Sequence, residues 1–186
     1  LAQLEPHFDE VLVSVSPGQG VGTAKTRRKP AGTRRKEPAK DDGRSRSATR
    51  RENRSPRVIV DEVPGLGPLG GIIAGLKAAA NDACAVVACD IPDIDIPLLR
   101  SLAGAAASAE IAVPRDPEGR YEPLFAVYRR PIVPAVEALL RSGERSVLPL
   151  YDLCRTSVVD LEAGRRLTNL NTRADYQNYL KSLRPQ

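Results

Sequence analysis

Residues 57–92 read RVIVDEVPGLGPLGGIIAGLKAAANDACAVVACDIP. The opening RVIV suits a short strand. Residues 64–71 (PGLGPLGG) are too rich in Gly and Pro for a regular element. Residues 72–80 (IIAGLKAAA) suit a helix. Residues 85–89 (AVVAC) are a continuous apolar run, as in a strand buried on both faces. Asp90-Ile91-Pro92 then leaves the sheet.

The same alternation extends in both directions. Residues 1–7 read as the end of a helix and 9–15 (DEVLVSV) as a strand. Downstream, Asp95 is a candidate N-cap, and Pro97 suits the first turn of a helix reaching about residue 107. Strands follow at 110–113 and 123–128 (PLFAVY), a helix at 131–142 and a second at 146–154. A strand at 156–160 and a closing helix at 172–183 complete the chain. Strands alternating with helices indicate an α/β fold with a mostly parallel sheet. No internal repeat is visible.

The chain has 186 residues, 41% hydrophobic and 27% charged, within the range of a globular protein. It holds no apolar stretch of ~18 residues, so no transmembrane helix is expected. No secretory pattern opens it. Three cysteines without CxxC spacing argue against a disulfide scaffold or a zinc site, and a cytoplasmic setting is expected. There is no Met and residue 1 is Leu, so the natural start is expected to be missing.

The net charge of +5 is unevenly spread. Residues 25–57 hold 14 of the 28 Lys and Arg but only four of the 23 Asp and Glu, a net +10, which leaves the remainder at −5. Residues 17–56 offer almost no apolar surface to offset the cost of ordering, so they read as a disordered basic insert. The charge suits phosphate contacts. The absence of Phe, Tyr, Trp and His leaves no platform for stacking bases, so nucleic acid is not expected as a partner.

Two features point to a site. Gly65-Leu66-Gly67-Pro68-Leu69-Gly70 formally matches GxGxxG, and Asp90 follows about 20 residues on, as in a dinucleotide-binding fold. However, Asp61-Glu62-Val63-Pro64 separates the strand from the glycines, and Pro68 lacks a donor where a pyrophosphate would need one. Asp90 ends an apolar strand. Ligands of open α/β sheets sit at such carboxyl ends, and a carboxylate facing phosphates there can hold Mg²⁺ with few protein ligands. The plainer alternative is an Asp that caps the next turn.

Gly67-Pro68-Leu69-Gly70-Gly71-Ile72-Ile73-Ala74-Gly75-Leu76 is similar to a GPLAGIxAGL pattern. Ala88-Cys89-Asp90-Ile91-Pro92 resembles CD-x-P, and Glu122-Pro123-Leu124-Phe125-Ala126-Val127-Tyr128 resembles Q/EPLFALY. Ser142-Gly143-Glu144-Arg145-Ser146-Val147 resembles SGxRxV. Asn169-Leu170-Asn171-Thr172-Arg173-Ala174-Asp175 resembles NxNTxxD. Together, and in this order, these segments resemble the molybdenum cofactor guanylyltransferases, the MobA-like nucleotidyltransferases. The resemblance covers residues 57 to about 183, and residues 1–16 fit the family's first helix end and second strand. Relatives that use CTP carry a Gly-His-Pro triplet, which is absent here.

The resemblance implies a three-layer Rossmann-like nucleotidyltransferase fold. A single domain, 1–186, with the insert at 17–56 is expected. It implies transfer of GMP from GTP to the terminal phosphate of molybdopterin, with release of pyrophosphate. Mg²⁺ would sit on Asp90, which is both the metal and the catalytic candidate. Asp61 and the loop Gly67, Pro68, Leu69, Gly70, Gly71 would border the guanosine, and Asn169 and Asn171 would lie toward the pterin. A monomer or weak homo-oligomer is expected. Phosphoryl-type transfer needs mainly positioning and charge neutralisation, so no dedicated nucleophile is required.

One departure stands out. The family opens with a loop of the form LAGGxSxRMGxDK that holds the triphosphate, and no Gly-Gly-x-Ser-x-Arg occurs here. The expectation is either an N-terminally truncated enzyme or a member without that site, and weak nucleotide binding by residues 1–186. The alternatives are an NAD(P)-binding Rossmann-type oxidoreductase, or a catalytically dead domain with a basic nucleic-acid-binding arm. Cys84, Cys89 and Cys154 read as small core residues. His7 has no expected catalytic role.

Loop-closure entropy rises by only about 0.6 kcal/mol per doubling of length. Replacing residues 21–54 with a short Gly/Ser linker is therefore expected to leave the melting temperature unchanged or slightly raised. A large drop in a thermal melt would show that the segment is folded.

Overall fold

The computed structural model of the protein describes residues 3–15, 56–60, 65–163, 165 and 167–183. The expected insert at 17–56 lies outside them except for Pro56, and so does Asp61. The described elements run β1 (Leu12–Val15), β2 (Arg57–Val60), α1 (Gly67–Ala78), β3 (Ala83–Val87), α2 (Ile96–Ala105), β4 (Ile111–Arg115), β5 (Phe125–Arg129), α3 (Val133–Arg141), α4 (Leu150–Leu153), β6 (Thr156–Asp160) and α5 (Arg173–Ser182). A 3-10 turn, Arg130–Ile132, leads from β5 into α3.

Four strands form a sheet in the order β3-β5-β4-β6, and β1 and β2 form a parallel pair of their own. β5 is antiparallel to both β3 and β4, whereas β4 and β6 are parallel. Thus β3, β4 and β6 point the same way and β5 is reversed, the mostly parallel α/β sheet that the alternation implies. The reversal starts at a tight turn after β4. There Gly119 N–H donates to the Asp116 carbonyl (2.9 Å), with Gly119 at φ 84°. A left-handed residue at this place is cheap only for glycine.

Alternation along the strands builds two cores, one on each face of the sheet. Ile111 and Val113 of β4, with Ala126 and Tyr128 of β5, pack with α1, α3 and α4. Ala112, Phe125 and Val127 face the opposite way, against α2 and Ile91. Cys84 and Val86 of β3 join the first core, and Ala85 and Val87 the second. The result is helix, sheet and helix in three layers.

Several boundaries differ from the sequence reading. Residues 67–71 are not irregular; they are the first turns of α1. Leu69, Ile72, Ile73 and Leu76 are all buried at helical spacing, and Pro68 falls where its missing N–H costs nothing. Residues 85–89 do not form a strand buried on both faces. β3 is an edge strand of the described sheet and only half-buried. Of residues 146–154, only the single turn α4 is helical. The turn at residues 4–8, where His7 and Phe8 N–H donate to the Leu4 carbonyl, replaces a helix end. Cys89 is exposed, because it sits beyond β3 in the turn rather than in the core; Cys84 and Cys154 are half-buried.

Tyr128 is fully buried and its hydroxyl donates to the Pro123 carbonyl at 2.8 Å. Tyr128→Phe is expected to leave that carbonyl without its partner and to cost about 1–3 kcal/mol in urea unfolding. Unchanged stability would show that the bond contributes nothing net.

Candidate active site

Because β3, β4 and β6 are parallel, their last residues Val87, Arg115 and Asp160 lie along one edge of the sheet. Asp90 is three residues past the end of β3. Its turn is fixed from the sheet side by Ala88 N–H, which donates to the Leu124 carbonyl just before β5 (2.8 Å). Ile91, the next residue, is buried in the second core.

The first half of α1 lies at this same edge. Arg57 at the start of β2 bonds to the Ala78 carbonyl, and Glu10 just before β1 accepts from Ala80 N–H (2.9 Å). The beginnings of β1 and β2 therefore meet the end of α1, immediately ahead of β3. At the other end, a Cβ on Gly71 would lie 3.8 Å from Ser14 Oγ, near the end of β1. α1 thus runs back along the strands, with Gly67 at their carboxyl ends.

The N-terminus of α1 has no side-chain cap and no acidic residue in its first turn. Its backbone N–H groups, Pro68 excepted, are of the kind that suit an anion. Gly67 has φ 62°, and a Cβ there would sit 3.5 Å from the Arg145 carbonyl, so the motifs at 67–76 and 142–147 abut. Leu69 and Gly70 are buried, Gly71 is half-buried, and Gly67 and Pro68 are exposed. Leu69 therefore serves the core rather than a ligand. No hydrogen bond or ion pair links residues 67–71 to Asp90 among the described residues.

Asp90 Oδ1 is a buried side-chain oxygen with no hydrogen-bond partner among the described residues. Leaving such a group unpaired is costly, which makes it the one feature here that calls for a ligand. A cation fits this acceptor. No group of three or more His, Cys, Asp and Glu side chains gathers into a metal cage among the described residues. A divalent cation bound by one or two carboxylates, with substrate phosphates and water supplying the rest, needs no such cage.

Asn169 and Asn171 are both exposed, but the residue between them anchors the site. Leu170 N–H donates to the Asp90 carbonyl at 2.8 Å, so the two asparagines flank the Asp90 backbone. Sequence reasoning missed the groups that hold the rest of this loop. Gln3 Nε2 donates to the Pro92 carbonyl (3.2 Å), and Gln3 Oε1 accepts from Ile94 N–H (3.1 Å). Tyr179 Oη donates to Asp93 Oδ1 (2.8 Å), and the Arg165 guanidinium pairs with Asp95. No motif signals these contacts, since each joins one side chain to a partner at long sequence separation.

Charges nearby are mostly paired. Arg115 Nε holds Asp160 at 2.8 Å. Burial disfavours the ionised form of Asp116, but the backbone N–H and guanidinium of Arg120 outweigh it and lower its pKa. Glu122 differs, since burial and then Asp116 raise its carboxyl above the usual range.

The profile of the MobA-like NTP transferase domain matches residues 1–156. A probable molybdenum cofactor guanylyltransferase of Pelotomaculum thermopropionicum is 39% identical over 64% of this chain and 61% of its own. The molybdenum cofactor guanylyltransferase of Vibrio atlanticus is 39% identical over 62% of this chain and 60% of its own. The chain therefore spans about three fifths of the length of these relatives. The crystal structure of molybdopterin-guanine dinucleotide biosynthesis protein A from Archaeoglobus fulgidus superposes with a TM-score of 0.56, at 25% identity over 68% of each chain. These relatives do not favour the dinucleotide-binding oxidoreductase alternative.

Asp95 caps α2 by accepting from Leu98 N–H at 2.9 Å. Burial works against its ionisation, but Arg165 and the Leu98 N–H prevail and hold its carboxyl below the usual range. A depressed pKa stabilises the fold fully above the unfolded value of about 3.9, and the gain is lost as pH falls through the folded value. Asp95→Asn is expected to cost about 0.2–1 kcal/mol at pH 7, as for a partly exposed ion pair. Urea unfolding should show the two proteins converging at the acid end. A constant difference down to pH 2 would contradict the assignment.

Proposed function

The chain belongs to the MobA-like NTP transferase family, and from that membership we propose that it is a guanylyltransferase domain of molybdenum cofactor biosynthesis. The reaction joins GMP from GTP to the terminal phosphate of molybdopterin and releases pyrophosphate. The observation that carries this reading is the buried Asp90 Oδ1 at the carboxyl edge of the sheet, which has no hydrogen-bond partner among the described residues.

In this reading Asp90 holds Mg²⁺, which when bound neutralises charge on the transferring phosphoryl group. The N–H groups opening α1 face the nucleotide, with the exposed Gly67 leaving room for close backbone approach. Asp61, outside the described residues, is assigned to the guanosine by the family resemblance alone. Asn169 and Asn171 offer amides to the pterin side, held beside Asp90 by the Leu170 bond. No nucleophilic side chain is needed, because the acceptor phosphate attacks and pyrophosphate departs. Among the described residues no helix is long and apolar enough to cross a membrane. A cytoplasmic enzyme acting on soluble GTP is consistent with that.

The test uses a chain carrying a family-type glycine-rich segment ahead of Leu1, assayed for GMP transfer. Asp90→Asn is expected to lower turnover by ~10²-fold or more, the scale of losing a preorganised charge at a transferring group. Equal turnover in the two proteins would reject Asp90 as the metal residue. A purified protein that binds NAD and not GTP would overturn the reading as a whole.

A further inference from the structure

Six residues, Asp90 to Asp95, carry three carboxylates. Like charges this close repel, and each is free to compete for the same cation. The fold deals with them unequally. Asp95 is taken up by Leu98 N–H and Arg165. Asp93 receives the Tyr179 hydroxyl at 2.8 Å from a residue 86 positions away. Asp90 alone keeps a buried oxygen without a partner among the described residues.

Tyr179 lies on α5, which buries no side chain. Such a helix contributes little to the core, and its attachment must come from specific contacts. Tyr179 is one, and the Leu170 bond to the Asp90 carbonyl, in the segment leading into α5, is another. The helix is itself well started, since Thr172 and Asp175 form a reciprocal capping box (3.1 and 2.8 Å). α5 and the segment leading into it therefore reach the loop at two places, three residues apart: the carbonyl of Asp90 and the carboxylate of Asp93.

We propose that Tyr179 is a positioning residue for Asp90: it ties Asp93 to α5, fixes the turn at 90–95 and leaves Asp90 as the carboxylate presented to a divalent cation. This rests on the reading of Asp90 as the metal residue. A phenol suits the task. It satisfies Asp93 without bringing a positive charge that would weaken cation binding nearby. Its bond to Asp93, followed by burial, holds the phenol above its usual range, so it remains a neutral donor. Arg in its place would also satisfy Asp93 but would repel the cation.

The test uses residues 1–186 as they are, with the variants Tyr179→Phe, Asp90→Asn and, as a control on the same helix, Tyr176→Phe. Tyr176 is 52% exposed, so the control leaves the loop untouched. Hydrogen exchange is read at the Ile94 and Leu170 amides. Binding of Mn²⁺ alone is read by water-proton relaxation. In Tyr179→Phe these amides are expected to exchange ~2–10-fold faster, the change that one ordinary hydrogen bond can hold. Mn²⁺ affinity should fall by a similar factor, while the melting temperature and the amides of β4 and β5 stay as in the parent. Tyr176→Phe should match the parent throughout.

Unchanged exchange in Tyr179→Phe overturns the proposal, and so does an equal change in Tyr176→Phe. Weaker Mn²⁺ binding in Asp90→Asn but not in Tyr179→Phe also overturns it, with the metal assignment left standing. Unchanged Mn²⁺ binding in Asp90→Asn overturns the metal assignment first, and the positioning role falls with it.

Discussion

The strand Phe125–Arg129 is paired along both edges, and Phe125 to Tyr128 are buried on both faces. It separates β3 from β4 and contributes alternate side chains to each core. Both layers of helices therefore depend on its register. So does the site, because the carbonyl just ahead of it takes the Ala88 N–H and sets where the chain turns toward Asp90. A shift of one residue in this strand would exchange Tyr128 and Val127 between the cores, and it would move the Asp90 turn with them.

This dependence also explains the half-buried state of β3. Its side chains are apolar on both faces, yet its other edge pairs with nothing among the described residues. α1 bridges it to β1 and β2, packing on all three strands. The helix is pinned at its far end by Arg57 and Glu10 and approaches Ser14 near its start. The strands of the two sheets thus share a direction through a helix rather than through a continuous ladder. That arrangement brings the open N-terminus of α1 and the Asp90 turn to one edge, although no direct bond joins them.

Much of this architecture was legible in the sequence. The alternation of apolar runs gave the α/β class, and Asp95 and Pro97 marked the start of α2 as found. The place of Asp90 just past an apolar strand was legible from the run that precedes it; its oxygen without a partner among the described residues was not. The start of α1 was not, because Gly and Pro counts outweighed the spacing of Leu69, Ile72, Ile73 and Leu76. Their burial, a tertiary effect, decides the matter. The edge position of β3 was also hidden, since strand order is set by non-local pairing and apolarity alone cannot distinguish a central strand from an edge. The clamp on the Asp90 loop left no trace in composition, because single side chains and backbone groups far apart in sequence carry it.

A site of the proposed kind, with a single metal carboxylate, gains its precision elsewhere. Where several side chains share a cation, each corrects small errors in the others. Where one carboxylate and the substrate's phosphates must suffice, its position depends on the loop that bears it. Here that loop is held from the N-terminal turn by Gln3, from just ahead of β5 by Leu124, and from the C-terminal segment by Arg165, Leu170 and Tyr179. Residues near both ends of the described chain thus hold the 90–95 loop that bears Asp90, so losses there should register in the site as well as in the fold.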